Sequence, residues 1–207
     1  MTGVPRMFRH LVAAALLTLP AIGSAQGPVS TGKLNDGTND LAWQVSVSPA
    51  SSAFFNAFLV DPRPSVWQAN SPGNYLWIGA TTSGSLPNGI GDGAARFTYT
   101  YQTIFTGGAA TSATFRCAVD NAVRSITLNG SPVSGGCGLF VFGGMGTLSG
   151  FAAGLNTLQF VTVGDGVTDG LLVSVGDVTV TPEPASLALL ATGLVGIVLV
   201  SRRRRIV

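Results

Sequence analysis

Residues 97–105 read Phe-Thr-Tyr-Thr-Tyr-Gln-Thr-Ile-Phe, and within them Phe97, Tyr99 and Tyr101 alternate with polar residues. Successive side chains of a β-strand point to opposite faces of the sheet, so this alternation is typical of a strand with one buried face. The same period of two recurs elsewhere in the chain, at residues 43–47, 75–77, 113–119 and 126–128. These segments predict strands that cover a single core.

Three further runs are rich in Val, Phe and Leu and lie between glycine-rich turns, at residues 138–142, 157–163 and 171–180. Asn129-Gly130 is a dipeptide that favours a tight turn between two strands. The central region has no convincing amphipathic helix. We therefore predict an all-β domain over residues 41–180, an antiparallel β-sandwich of the jelly-roll type, preceded by a polar linker over residues 26–40.

The first 25 residues have the properties of a secretory signal peptide. A positively charged start precedes the apolar run 11–19, which is too short to span a bilayer. Small residues at positions 23 and 25 suit the pocket of a signal peptidase, which predicts cleavage before Gln26. The alternative is a buried helix of the domain, but the apolar run is apolar on all sides rather than on one face.

The C-terminal segment 181–207 differs sharply from the domain. Pro182, Glu183 and Pro184 form an extended hinge, because each proline fixes its own backbone and restricts the residue before it. Residues 185–200 are an uncharged run of about 24 Å as a helix, close to the hydrocarbon core of about 30 Å. Four arginines follow it, Arg202, Arg203, Arg204 and Arg205. Because such clusters stay in the cytoplasm, we predict a single membrane helix with the domain outside.

The positive charges are concentrated at the two ends of the chain. Six of the eleven basic residues lie in the terminal segments, which leaves five basic residues against eight aspartates in the region between them, a net charge of −3. A mildly acidic domain has no basic surface with which to neutralise phosphates. Nucleic acid is therefore not a predicted partner.

The order Pro182-Glu183-Pro184, apolar helix and arginine cluster at the extreme C-terminus resembles the PEP-CTERM sorting signal of Gram-negative bacteria. The resemblance covers about the last 26 residues. It implies processing by an exosortase, a membrane protease that acts near the Pro-Glu-Pro. It also implies an inner-membrane precursor that is then delivered to the cell surface or the exopolysaccharide matrix.

The central domain is similar, more loosely, to galactose-binding-like β-sandwiches. The segments that carry this resemblance are residues 99–105, Asp120-Asn121, residues 126–130 and residues 151–160. By analogy the resemblance implies a jelly roll that binds carbohydrate, although a shared fold does not establish a shared ligand.

The two cysteines, Cys117 and Cys137, both lie in the central domain. An even pair in an exported protein predicts a disulfide, which would close a loop of 20 residues and contribute about 3 kcal/mol to stability. Two buried free thiols are the alternative.

The residues offer little for catalysis. His10, the only histidine, lies in the predicted signal peptide, so the mature domain has no imidazole for a nucleophilic triad or a metal site. Glu183, the only glutamate, lies in the sorting signal. We therefore predict a protein that is not an enzyme; a secreted carbohydrate-active hydrolase would need two aspartates about 5 to 9 Å apart in a cleft.

Two loops are candidate calcium sites, because each brings two aspartates and a glycine together. The aspartates are Asp36 with Asp40 in the first loop and Asp165 with Asp169 in the second. Carboxylate oxygens are the hard ligands that calcium prefers. The same dipeptides also form turns without any metal, and neither loop has a complete calcium-binding motif.

Trp67 is the candidate ligand-binding residue, because it falls in a proline-rich loop over residues 61–70, where an indole face could stack on a sugar. Packing of this tryptophan under the loop is the alternative. The resulting hypothesis is an exported surface or matrix protein that binds polysaccharide. The competing hypotheses are the hydrolase and a purely structural or adhesion module.

Overall fold

A computed structural model describes residues 27–108, 111–180, 192–194 and 196. Residues 192–194 and 196 are helical. The other described residues include eleven strands: β1 (Asn39–Ser48), β2 (Ser51–Leu59), β3 (Ile78–Gly79), β4 (Phe97–Gly107), β5 (Thr111–Asp120), β6 (Ala122–Leu128), β7 (Ser131–Pro132), β8 (Gly138–Leu139), β9 (Gly146–Leu148), β10 (Gly154–Gly164) and β11 (Gly170–Val180).

The strands join into one sheet in the order β7-β6-β10-β4-β1-β2-β3-β11-β5-β8, with β9 also paired to β5. Along a flat sheet, six steps of about 4.8 Å would put β10 and β5 about 29 Å apart. The rings of Phe160 on β10 and Phe115 on β5 instead have centroids 5.9 Å apart. The sheet therefore folds over on itself into two packed layers. The predicted all-β, sandwich-like fold is confirmed.

The core lies between these two layers. In β4 the side chains alternate as predicted, with Tyr99, Tyr101 and Phe105 buried and Ile104 exposed on the outer face. Pairing of β4 with β10 in unbroken register places Phe160 beside Tyr101, so the two strands present one apolar face. Each large side chain buried in this way contributes about 1.5–3 kcal/mol.

Strand β2 was not apparent from the sequence. Most of its residues are exposed and only Ala57 is buried, so it lacks the one-faced alternation that marks the other long strands. Its pairing with β1 is interrupted by two register shifts, which is typical of a bulged strand at a bend in a sheet.

Two predicted strands are shorter than expected. Around residues 75–77, only Ile78–Gly79 forms a strand, and Trp77 lies just before it although its side chain is fully buried. Of residues 138–142, only Gly138–Leu139 pairs in the sheet. The apolar residues of both segments are held by packing rather than by a continuous ladder of backbone hydrogen bonds.

The predicted turn and disulfide are both present. Asn129 and Gly130 have φ values of 52° and 79°, the left-handed backbone that a two-residue hairpin requires, and they join β6 to β7. Cys117 on β5 is bonded to Cys137, with their Cα atoms 4.5 Å apart. The bridge fastens the glycine-rich segment after β7 to the centre of β5.

The segment predicted as a linker is packed against the domain from Gly27 onward. Thr31 donates its backbone N–H to the carbonyl of Val173, and Ser30 Oγ accepts the N–H of Val175. These bonds satisfy backbone groups of β11, and both residues are buried. The polar composition of this segment is typical of a linker. In the structure, however, its serine and threonine bond to β11 in the place that a neighbouring strand would occupy.

The predicted signal peptide, residues 1–25, lies outside the described residues. The Pro-Glu-Pro hinge, the arginine cluster and most of the apolar run 185–200 do so as well. Among the residues that are described, none belongs to a helix with the length and apolarity needed to cross a membrane.

Candidate functional site

Polar side chains from distant parts of the chain meet beside the loop that joins β10 to β11. Asp169, which is 1% exposed, lies at their centre. Its Oδ2 accepts a hydrogen bond of 2.6 Å from the Tyr99 hydroxyl and one of 2.7 Å from the Gly166 backbone N–H. Its Oδ1 accepts from the Asn121 amide at 3.5 Å. The carboxylate therefore ties together β4, the junction between β5 and β6, and its own loop.

Asp165 holds the same loop from its other side. Its Oδ1 accepts from the Val167 N–H at 2.9 Å and its Oδ2 from the Gly93 N–H at 2.8 Å. Gly164 gives Asp169 the room it needs, because a Cβ at that position would lie 1.9 Å from Asp169 Oδ1. Both carboxylates of this predicted calcium loop are thus engaged by backbone donors.

Trp67 joins this cluster from the opposite side. Its indole N–H donates to Asp120 Oδ2 at 3.0 Å, and its ring packs on Trp77 with centroids 4.1 Å apart. Arg63 donates to the carbonyl oxygen of Trp67 and so fixes the loop around it. Because the side chain is only 3% exposed, its face is covered by protein. This geometry favours the packing interpretation of Trp67.

Burial sets the electrostatics of the cluster. It raises the pKa of Asp120 to about 6, with further contributions from the negative charges of Asp169 and Asp165 and an opposing one from the Trp67 N–H. Burial also raises the pKa of Asp169 to about 6, against the hydrogen bond from Tyr99. The pKa of the Tyr99 hydroxyl is raised as well, first by burial and then by its bond to Asp169. Together Asp120, Asp165 and Asp169 form an acidic cluster.

The other predicted calcium loop is a turn built on aspartate side chains. Asp40 is fully buried and accepts backbone N–H groups from Gly32, Ala42 and Trp43. Burial raises its pKa to about 6, against these three bonds. Asp36 is exposed, and the N–H of Asn39 above all lowers its pKa to about 2.

These arrangements use aspartates as hydrogen-bond acceptors for the backbone. In the part of the chain that the structure describes, no group of three or more His, Cys, Asp or Glu side chains is placed to hold a metal ion. Asp120 and Asp169 are 9% and 1% exposed, so a substrate would have little access to either carboxylate. Sequence reasoning missed Asp120 and Tyr99 as members of the cluster, because their roles depend on which strand ends meet.

Two of the grooves formed by the described residues differ in whether a charged side chain lines them. One, of about 400 Å³, is lined by polar and apolar residues that include Thr38, Asp61, Asn70, Pro72 and Leu76, and we call it the polar groove. The other, of about 260 Å³, is lined by residues without charge, among them Gly27, Leu34, Leu41, Ile104 and Leu155, and we call it the apolar groove. Neither was predicted, because each combines segments far apart in the sequence.

In comparisons with known proteins, residues 180–205 match the PEP-CTERM protein-sorting motif. This confirms the resemblance of the C-terminal segment, and the motif marks a protein that is sorted to the cell surface. No curated protein and no solved structure matches the chain. The resemblance of the domain to galactose-binding-like sandwiches therefore stays a prediction.

The raised pKa values of Asp40, Asp120 and Asp169 predict that acid stabilises the fold. Between about pH 4 and pH 6 the folded chain holds protons on these groups that the unfolded chain has lost, so stability falls as pH rises through about 6. We expect the urea midpoint to be higher at pH 4.5 than at pH 7. The lowered pKa of Asp36 has the opposite effect: its contribution to stability is present at pH 4.5 and at pH 7, and it is lost only as the pH falls towards about 2.

Asp120→Asn tests whether buried carboxylates cause this pH dependence, because asparagine has no charge to bury and can still accept the Trp67 indole N–H. The variant should be more stable than the unchanged chain at pH 7 and should depend less on pH. Asp177→Asn, at an exposed position on β11, is the matched control. An unchanged pH profile in Asp120→Asn would contradict the assignment.

Proposed function

We propose that this chain is a non-enzymatic protein of the bacterial cell surface or extracellular matrix, exported as a precursor and released from the membrane by an exosortase-type protease. The observation that carries the proposal is the position of the sorting motif. The match begins at Val180, the last residue of β11, which is paired with Thr111 of β5. The folded domain thus ends where the sorting signal begins, and processing there would leave the sandwich whole.

The disulfide supports export. Cys117 is fully buried and is bonded to Cys137, and such bonds persist in the periplasm and outside the cell. The predicted signal peptide would deliver the chain to that compartment, where signal peptidase would remove residues 1–25. The run 185–200, followed by four arginines, would hold the precursor in the inner membrane with its domain outside.

The burial of the acidic cluster supports a role without catalysis. A glycosidase needs one carboxyl to protonate the leaving group and another to activate water or attack the sugar, and both must reach the substrate. Here the carboxylates of Asp120 and Asp169 accept hydrogen bonds from Trp67 and Tyr99 inside the protein. Raised pKa values alone do not distinguish a catalytic pair from a structural network.

Intact-mass measurement of the protein from a Gram-negative host with an exosortase tests the processing. We expect a chain that begins at Gln26 and lacks the arginine cluster, whereas a host without exosortase should retain the full C-terminus. Glu183→Ala should block processing in the first host, and Ser186→Ala is a control just beyond the Pro-Glu-Pro. A mature protein that keeps Arg202 to Arg205 in the exosortase host would contradict the proposal.

Polysaccharide binding is a second proposal, and the polar groove is where we assign it. Asp61 has an exposed carboxylate without a hydrogen-bond partner among the described residues. Asn70 accepts the backbone N–H of Trp77 through Oδ1, and its amide N–H groups are donors that a ligand could use. A carboxylate and an amide beside the apolar surfaces of Pro72 and Leu76 suit the hydroxyls and the apolar face of a sugar ring.

A binding assay on the host's exopolysaccharide tests this proposal. Asp61→Ala should weaken saturable binding about tenfold or more, because a hydrogen bond to a charged group contributes about 1.5–3 kcal/mol. Asp177→Ala is a control that removes an exposed aspartate on β11. Trp67→Ala is not a clean test, because loss of a buried tryptophan costs about 3–5 kcal/mol of stability.

The same assay repeated with calcium and with a chelator tests the predicted calcium loops. Loss of binding in chelator would make Asp36, Asp40, Asp165 and Asp169 candidate ligands again. Saturable binding with no response to Asp61→Ala would place the sugar elsewhere on the domain. No binding under any condition would leave a purely structural or adhesion module, and turnover of the polymer would favour the hydrolase.

A further inference from the structure

The apolar groove lies where the chain leaves the domain. Gly27 lines the groove, and a Cβ placed on it would lie 2.5 Å from Val178 Cγ2. Val178 is two residues before Val180, the last residue of β11. The segment that carries the sorting motif therefore begins beside this groove.

Several large apolar side chains are exposed at the edges of the groove. Four side chains of three different segments border it, and Leu34, Leu41, Ile104 and Leu155 are 47%, 58%, 54% and 75% exposed. No ionisable side chain is among the residues that line it. Exposed apolar surface that is contiguous and uncharged commonly marks a contact with a partner or a membrane.

The sequence beyond β11 limits how far this surface can be from a bilayer. Four residues lie between Val180 and Ala185, the first residue of the apolar run, and the five steps from one to the other reach about 17 Å in a fully extended chain. The headgroup layer on each side of a bilayer takes up about 5 to 8 Å of this. The exit point of the domain is then held about 10 Å or less above the headgroups.

We infer that the apolar groove is a membrane-docking surface of the tethered precursor, and that it inserts its leucine and isoleucine side chains among the lipids next to the C-terminal helix. The inference rests on the proposed membrane tether. Docking would orient the domain with the groove towards the bilayer. Once the tether is removed, the domain would touch the bilayer only through this small apolar patch. Membrane binding of that kind is weak and reversible, so the domain would be released.

If the groove faces the bilayer, Leu155 lies at the membrane and Ile90 lies far from it, so the two positions form a test and a control. Leu155 is at the start of β10, and Gly164 at its other end precedes Asp165, whose carbonyl accepts the N–H of Ile90. Ten residues of strand place Ile90 about 33 Å from Leu155. Ile90 is 63% exposed, so it offers an apolar side chain of similar exposure away from the groove.

The experiment uses the secreted precursor, purified from a Gram-negative host without exosortase and reconstituted into vesicles of phosphatidylethanolamine and phosphatidylglycerol. Leu155→Trp and Leu41→Trp report docking, and Ile90→Trp is the control; all three replace exposed side chains. The three native tryptophans are 3% exposed or less. Vesicles with brominated acyl chains quench an indole only at short range. We expect them to remove most of the added emission of Leu155→Trp and Leu41→Trp and none of that of Ile90→Trp.

Co-flotation with the vesicles is measured first and tests the tether separately. A precursor that floats, with both groove variants quenched and Ile90→Trp unchanged, supports the inference. A precursor that floats with all three variants equally unquenched overturns docking and leaves the tether intact. Docking to the membrane is also overturned if the protein on the vesicles sediments as a dimer, because the groove would then face a second copy of the chain. A precursor that does not float overturns the proposed tether and the docking with it.

Discussion

Packing of Phe160 between the two layers is the interaction on which the rest of the structure depends. Its ring contacts Trp43 at 5.8 Å between centroids and Phe115 at 5.9 Å, and all three side chains are buried. Aromatic pairs of this kind contribute about 0.5–1.5 kcal/mol beyond the area that they bury. Because Phe115 and Phe160 are on strands at distant positions in the sheet order, their contact fixes the fold of the sheet. It thereby determines which loops meet.

The acidic cluster is a consequence of that fold. Once β4, β5 and β11 are packed together, Tyr99, Asp120 and Asp169 converge, and each finds a hydrogen-bond partner inside the protein. The cost of burying the carboxylates appears as raised pKa values and is offset in part by these bonds. The cluster joins segments more than forty residues apart in the chain, as the bond from Trp67 to Asp120 illustrates. Its hydrogen bonds hold remote segments of the fold together.

Alternation along single strands was enough to predict β1, β4, β5 and β6. Apolar runs between glycine-rich turns predicted β10 and β11, and two residues sufficed for the Asn129-Gly130 turn. These features depend on local geometry, which the sequence carries directly. β2 was missed because a strand at the bend of the sheet buries neither face consistently. The burial of Trp67 and the two grooves depend on contacts between remote segments. No period or dipeptide encodes such contacts, so the sites could not be predicted in the way that the strands were.

The domain and its C-terminal segment have separate roles in this account. The sandwich supplies a stable body with its own core and disulfide, and the motif at residues 180–205 supplies the destination. The most direct measurement attaches residues 1–25 and 180–207 to an unrelated monomeric secreted reporter in a host with an exosortase. The account predicts that the reporter reaches the cell surface or matrix in the same proportion as the complete chain. A reporter that stays in the periplasm, while the complete chain leaves it, would contradict the claim that the two terminal segments set the destination without the domain.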